Sequence, residues 1–77
     1  MIEDRIRGVM SAVFGVPADS LGADASADTV EKWDSLGHLN LMISLESEFG
    51  VEFSDEDMAD LTSLPLLVLE VERLLSR

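Results

Sequence analysis

The sequence contains no cysteine and only one histidine among its 77 residues. Without cysteine, neither a disulfide framework nor a thiolate zinc site can form. A single histidine likewise gives too few nitrogen ligands for a typical transition-metal site. We therefore predict that the protein holds no metal.

Long apolar runs are also missing. The longest one covers residues 64–69, includes Pro65 and is far too short to span a bilayer. Residues 1–5 lack the basic flank and apolar block of a signal peptide. Because 47% of the residues are hydrophobic, the chain can still bury one modest core. We expect a cytoplasmic protein without a membrane span, folded as a single domain over residues 1–77.

Positive charge is scarce. Five Lys and Arg face sixteen Asp and Glu, which gives a net charge of −11, and no Lys or Arg occurs between Trp33 and Glu72. Such a field repels nucleic acid and anionic membranes and attracts proteins with basic patches. Solubility alone is an alternative reason for the acids. The concentration of acids around the centre of the chain favours docking to basic protein partners, and we expect the protein itself to be a monomer.

Apolar spacing predicts a helix at each end of the chain. Gly15 and Pro17 end the first one, whose apolar face consists of Ile2, Ile6, Val9, Met10, Val13 and Phe14. Ser63 is the predicted N-cap of the last, with Pro65 in its first turn. The apolar face of that helix consists of Leu64, Leu67, Val68, Val71, Leu74 and Leu75.

Two further helices are predicted between them. A short acidic helix is capped by Ser54 and ends near Leu61, and a longer helix runs from Ser35 or Leu36 to Phe49, closed by Gly50. The pattern as a whole predicts an all-α, small four-helix bundle with three long helices and one short one. Residues 16–34 form an unusually long connection, for which Leu21 and Val30 are the predicted anchors.

The helix that starts near Ser35 has more apolar surface than one buried stripe needs. Its predicted core side consists of Leu41, Met42, Leu45 and Phe49. A second seam, Leu36, Leu39 and Ile43, lies towards the Ser35 end of the helix. We interpret this second seam as an exposed surface for a partner.

Ser35 stands where a loop becomes a helix, a position that exposes a hydroxyl and favours anionic groups. We interpret it as a residue that is modified. Two alternatives remain open from the residues alone. Ser35 could be only the helix N-cap of an acidic, non-enzymatic interaction module. It could instead pair with His38 as a small hydrolase, although no glycine-rich oxyanion segment accompanies them. We predict no catalytic residue.

The segment Asp34-Ser35-Leu36, followed by an apolar helix and by residues 45–53 (LESEFGVEF), resembles the acyl carrier protein family in its stand-alone form. The similarity extends over the whole chain, from the apolar first helix to the last. The resemblance implies a carrier rather than an enzyme. It also implies that Ser35 receives 4′-phosphopantetheine from coenzyme A through a phosphopantetheinyl transferase, and that the thiol of this arm then carries an acyl group as a thioester.

The resemblance also implies a docking face and an interior for the acyl chain. Acyl-loading and acyl-processing enzymes with basic patches would recognise the docking face, which comprises Asp34, Leu36, Leu39, Ile43 and Glu46, with Glu52 and Glu56 nearby. The residues that would line the interior around an acyl chain are Met42, Leu45, Ala59 and Leu61.

The sequence departs from the fatty-acid type of carrier at several positions. Many fatty-acid carriers have acids where this chain has Gly37 and Asn40, and Trp33 and His38 flank the motif here. The resemblance implies a fatty-acid, polyketide or dedicated specialised pathway, and this variant looks more like carriers of dedicated pathways, such as polyketide, modified-sugar or specialised lipid assembly. An aminoacyl or D-alanyl carrier is the alternative. We expect Gly37 to weaken the start of the helix by about 1 kcal/mol relative to alanine, leaving the attachment region more mobile.

Overall fold

The computed structural model describes residues 2–76. Four α-helices follow one another in the order α1 (Ile2–Phe14), α2 (Ser35–Phe49), α3 (Asp55–Asp60) and α4 (Leu64–Leu75). A single turn of 3₁₀-helix, Ala18–Ser20, lies in the long connection between α1 and α2. Within residues 2–76 there is no named strand and only one isolated antiparallel bridge, between Ser26 and Ser63. The prediction of an all-α bundle with three long helices and one short helix is confirmed.

The ends of the helices follow the signals predicted from the sequence. The left-handed Gly50 (φ 66°) closes α2, and its N–H donates to the carbonyl of Glu46 at 2.8 Å. Ser54 begins α3 with a capping box, in which its hydroxyl accepts the N–H of Asp57 at 3.0 Å. Ser63 caps α4 by accepting the N–H of Leu66. Local side-chain chemistry therefore sets these boundaries.

The core draws residues from every part of the bundle. Its buried members are Ile6, Met10, Phe14, Leu21, Ala25, Trp33, Leu41, Met42, Leu45, Phe49, Phe53, Leu61, Leu64, Leu67 and Val71. In the long connection Leu21 is buried as predicted, whereas Val30 is only partly buried. Trp33 and Ala25 are buried there too, which the sequence pattern did not indicate. On α4, Leu75 was expected to face the core but is 45% exposed, so the buried stripe ends before the helix does.

The connection between α1 and α2 is fastened to the link between α3 and α4. The N–H of Ala27 donates to the carbonyl of Thr62 at 2.9 Å, and the N–H of Leu64 donates to the carbonyl of Ala25 at 2.8 Å. These two bonds hold the connection against the start of α4. The residues that lead into α2 therefore approach Ser35 along a fixed path rather than as a free loop.

Two arginines of α1 also hold neighbouring parts of the chain. Arg5 pairs with Glu48 at 3.0 Å and lies 4.5 Å above the ring of Phe49, which joins α1 to the end of α2. Arg7 donates from Nε to the carbonyl of Leu21 at 2.8 Å, which joins α1 to the long connection. Both arginines therefore connect α1 to other parts of the bundle.

None of the helices formed by residues 2–76 is long and apolar enough to cross a membrane. The cytoplasmic location expected from the sequence stays a prediction.

Candidate functional site

Ser35 is the first residue of α2 and is exposed. The N-cap is its neighbour Asp34, whose carboxylate accepts the N–H of Gly37 at 2.8 Å. Within residues 2–76 no hydrogen bond involves the Ser35 hydroxyl. The alternative in which Ser35 serves only as the N-cap is therefore wrong, because Asp34 performs that role and leaves the serine free.

Trp33 forms a buried support directly before this pair. Its side chain is 4% exposed, and its ring lies 5.5 Å from the ring of Phe14 on α1, measured between centroids. The indole Nε1–H donates to Nδ1 of His38 at 2.9 Å. A buried indole needs such a partner for its polar N–H. Trp33 therefore joins α1 to the first turn of α2 underneath the serine.

His38 extends this support to α3. Its Nε2 forms a hydrogen bond with the carbonyl of Met58. Since a carbonyl can only accept, Nε2 carries the proton, and Nδ1 is free to accept from Trp33. Both nitrogens of the imidazole thus have partners other than Ser35. The hydrolase alternative is excluded, because His38 has no nitrogen left to act as a base on the serine.

Gly37 lies where the first turn of α2 passes closest to the connection before it. A β-carbon at this position would overlap with the carbonyl oxygen of Lys32 and would lie 3.3 Å from the ring of Phe14. Alanine here would therefore not strengthen the start of the helix, contrary to the expected loss of about 1 kcal/mol relative to alanine, whereas the expected mobility of the attachment region stays a prediction. The lack of a side chain at Gly37 instead allows α2 to pack tightly against the connection and α1.

A pocket of about 310 Å³ opens beside Ser35. Its walls are mainly apolar, and it is lined by Ala27, Trp33, Asp34, Ser35, His38 and Thr62. It lies between the end of the long connection, the first turn of α2 and the link after α3. This pocket could not be predicted from the sequence, because its walls come from three segments that are separated along the chain.

The second apolar seam of α2 is exposed as predicted. Leu36, Leu39 and Ile43 have exposed fractions of 67%, 49% and 54%. The predicted core side of the same helix is buried, with Leu41, Met42 and Leu45 at 0% and Phe49 at 9%. The helix that starts with Ser35 therefore presents an apolar strip to solvent next to the serine.

The acids assigned to the docking face differ in their surroundings. Asp34, Glu52 and Glu56 are exposed. Glu46 is partly buried, and its Oε2 accepts the N–H of Phe53 at 2.8 Å. Its carboxylate thus holds the residues after α2 in place, a structural role that the sequence analysis did not assign to it.

The four residues predicted to line the interior are not all inside. Met42 and Leu45 are fully buried and Leu61 is 6% exposed, so these three share the core. Ala59 is exposed on α3, and the expectation that it faces the interior is not met. Its neighbour Met58 is the α3 residue that packs against the core instead, because adjacent residues of a helix point about 100° apart.

Comparison with known proteins identifies the class to which this site belongs. The family model described as the phosphopantetheine attachment site matches residues 4–71. The chain belongs to the acyl carrier protein family, whose members carry a 4′-phosphopantetheine prosthetic group and are carriers rather than enzymes.

Three similar proteins illustrate this relationship. An acyl carrier protein of Akkermansia muciniphila is 31% identical over 72 residues, which cover 94% of this chain and 90% of that protein. An acyl carrier protein homolog of Mycoplasma genitalium is 48% identical over 46 residues, which cover 60% of this chain but only 55% of the relative. The solution structure of holo acyl carrier protein from Geobacter metallireducens superposes with a TM-score of 0.86 at 29% identity, covering 97% of this chain and 86% of that one.

The residues at the start of α2 fit the prosthetic group of the family. The hydroxyl of Ser35 is exposed at the N-terminal end of a 15-residue helix and does not serve as the helix cap. The positive end of the helix dipole lies there, and it favours a phosphodiester. A cluster of three or more His, Cys, Asp or Glu able to hold a metal ion is not found among residues 2–76.

Proposed function

We propose that Ser35 is the residue to which 4′-phosphopantetheine is attached. The observation that supports this most directly is the division of roles between Asp34, which caps α2, and Ser35, whose hydroxyl is exposed and free. In the transfer, the serine oxygen forms a new bond to phosphorus as the phosphoanhydride of coenzyme A breaks. The adenosine bisphosphate half leaves, and the transferase takes the serine proton.

The arm then works as a tethered thiol. When bound, it carries an acyl group as a thioester at high effective concentration for each partner enzyme. The chain has no cysteine of its own, so the working thiol is that of the arm. Residues of this chain contribute by presenting Ser35 on a rigid support and by offering a surface for partners.

The partner surface that we propose combines the apolar strip of α2 with neighbouring acids. Leu36, Leu39 and Ile43 are exposed, and Asp34, Glu52 and Glu56 are exposed acids. A basic patch on the transferase or on an acyl-processing enzyme complements such a surface in charge and speeds the encounter. Glu46 contributes less, because its carboxylate is bound to the backbone of Phe53.

We further propose that this carrier serves a dedicated pathway rather than general fatty-acid synthesis. Gly37, His38 and Asn40 support this, since many fatty-acid carriers have acids where Gly37 and Asn40 stand here. The packing of Gly37 and the two hydrogen bonds of His38 fit a structural use of these positions rather than a docking one. Fatty-acid, polyketide and aminoacyl or D-alanyl cargo differ in mass, so loading experiments distinguish them.

The central test is intact mass after incubation with coenzyme A and a broad-specificity phosphopantetheinyl transferase. We expect the wild-type chain to gain one phosphopantetheine and Ser35→Ala to gain none. Ser47→Ala is the matched control, because Ser47 is also an exposed serine of α2, and it should be modified like the wild type. An unchanged wild-type mass, with a transferase that modifies another carrier in the same assay, would disprove the proposal.

A further inference from the structure

The residues that line the pocket beside Ser35 determine which chemical groups it can bind. Six residues line it, and Ser35 itself is one of them. Any group attached to the serine oxygen therefore begins at the edge of this pocket. Its volume of about 310 Å³ is ample for a branched alkyl group.

The charges around the pocket decide which part of an attached arm it favours. Asp34 is the one acidic residue of the lining, and both nitrogens of His38 are already bonded, one to Trp33 and one to Met58. An anion therefore meets the acidic Asp34 here and finds no Lys or Arg among the lining residues. An uncharged apolar group gains by leaving water and contacting the indole of Trp33.

The walls are also held in place before anything binds. The indole is fixed between Phe14 and His38, and the N–H of Ala27 is bonded to the carbonyl of Thr62. A preformed site loses little conformational entropy on binding. The side chain of Ala27, another lining residue, is small and takes up little of the pocket.

We propose that this pocket holds the gem-dimethyl segment at the root of the phosphopantetheine arm. This inference rests on attachment at Ser35. The gem-dimethyl carbon follows the phosphate after one methylene group, so it is the first apolar group that the serine presents to the pocket. The phosphate stays outside, towards the N-terminal end of α2. The amide-containing remainder of the arm and its thiol stay free to reach partner enzymes.

The test uses the holo protein with a ¹³C-labelled arm. We expect nuclear Overhauser effects between the gem-dimethyl protons and the protons of Trp33 and Ala27, and a shift of the indole Nε1–H signal between apo and holo forms. The chain has one tryptophan, so this signal is unambiguous. Ala27→Leu should fill the pocket and remove these effects, whereas Ala12→Leu, at an exposed position on α1, should leave them intact.

The outcomes separate this inference from the proposed function. If no arm is attached, attachment at Ser35 itself fails. If the arm is attached but the gem-dimethyl protons show no contact with Trp33 or Ala27, the pocket proposal is overturned while attachment stands. Contacts that appear only after acylation, and only from acyl protons, would also overturn it. The wild-type spectra alone decide these cases, even if Ala27→Leu does not fold.

Discussion

Asp34 and Ser35 are both good N-cap residues, and the structure gives the cap to the first of them. The Asp34 carboxylate accepts the N–H of Gly37, and Ser35 becomes the first helical residue. The sequence predicted that Ser35 lies at the loop-to-helix boundary. It could not show whether Asp34 or Ser35 is the N-cap of α2, because the two possible helix starts differ by one position. Once the cap is known, the serine hydroxyl is left without a structural task.

The cap predicts a measurable difference between two substitutions of Asp34. Asp34→Ala removes the acceptor for the Gly37 N–H and should lower the free energy of unfolding by about 1 kcal/mol. Asp34→Asn keeps a side-chain oxygen at the same place, so its free energy of unfolding should fall by less than that of Asp34→Ala. Urea unfolding of the three proteins measures both values. Equal stability of Asp34→Ala and the wild type would contradict the capping role.

Gly37 and Gly8 differ in the space around them, so replacing each by alanine should have opposite effects on stability. A β-carbon at Gly37 overlaps with the carbonyl of Lys32, whereas nothing lies within 4 Å of one at Gly8 in the middle of α1. Gly37→Ala should therefore destabilise the fold by about 1–3 kcal/mol, since the first turn of α2 must shift. Gly8→Ala should stabilise it by about 0.5–1 kcal/mol. Thermal or urea unfolding gives the signs, and stabilisation by Gly37→Ala would disprove the tight approach.

At the scale of whole elements, α3 depends most on a few specific bonds. It has six residues and no buried residue of its own. Its capping box at Ser54, the hydrogen bond from His38 to Met58 and the partial burial of Met58 hold it. An element with so few buried contacts opens at lower free energy than the rest of a fold. The region after α2 thus relies on a histidine that belongs to α2.

This dependence predicts local loosening when His38 is replaced. His38→Phe keeps a ring of similar shape but loses both hydrogen bonds, so amides of α3, such as that of Met58, should exchange faster with solvent. The free energy of local opening measured by this exchange should fall by roughly 1–3 kcal/mol. Amides in the middle of α1 should change little. Asn40→Ala, at an exposed position on the same helix, is the control, and unchanged exchange in α3 of His38→Phe would contradict the prediction.

The elements differ in how much of them the sequence could reveal. Helix periodicity and caps predicted the bounds of α2 and the N-caps Ser54 and Ser63, because those signals are local. The role of His38 could not be predicted, since its partner Met58 lies twenty residues further along the chain. The same limit applies to the buried Trp33 and to the pocket beside Ser35. Periodicity describes one helix at a time and says little about contacts between segments.

At the scale of the whole molecule, charge acts against compactness. The net charge is −11. Arg5 pairs with Glu48 of α2, and Arg7 pairs with Glu3 and Asp4 of α1. Near the C-terminal end, hydrogen bonds to Glu70 occupy Arg73 and raise the pKa of its guanidinium. Asp57 of α3 also interacts with Arg73. The other acids between α2 and α4 have no Lys or Arg near them in the sequence, so they repel one another, and this repulsion weakens with ionic strength.

We therefore expect the melting temperature to rise from low salt to about physiological ionic strength, where the Debye length is about 8 Å. Mg²⁺ should raise it at lower concentration than Na⁺, because a divalent ion screens more strongly. The double variant Glu52→Gln/Glu56→Gln removes two exposed charges and should melt higher at low salt, with a smaller salt response. Differential scanning calorimetry measures these changes. A melting temperature that is flat in salt would show that self-repulsion is unimportant here.

The bridge between Ser26 and Ser63 has a consequence for how the protein is made. The two backbone bonds that accompany it join Ala27 to Thr62 and Ala25 to Leu64, so they cannot form during synthesis until residue 64 has left the ribosome. The wall in front of Ser35 is therefore incomplete on a nascent chain that ends sooner. An enzyme that recognises the finished surroundings of Ser35 would act only after residue 64 has left the ribosome and these bonds have formed. Modification of the serine would then mark chains that have already folded.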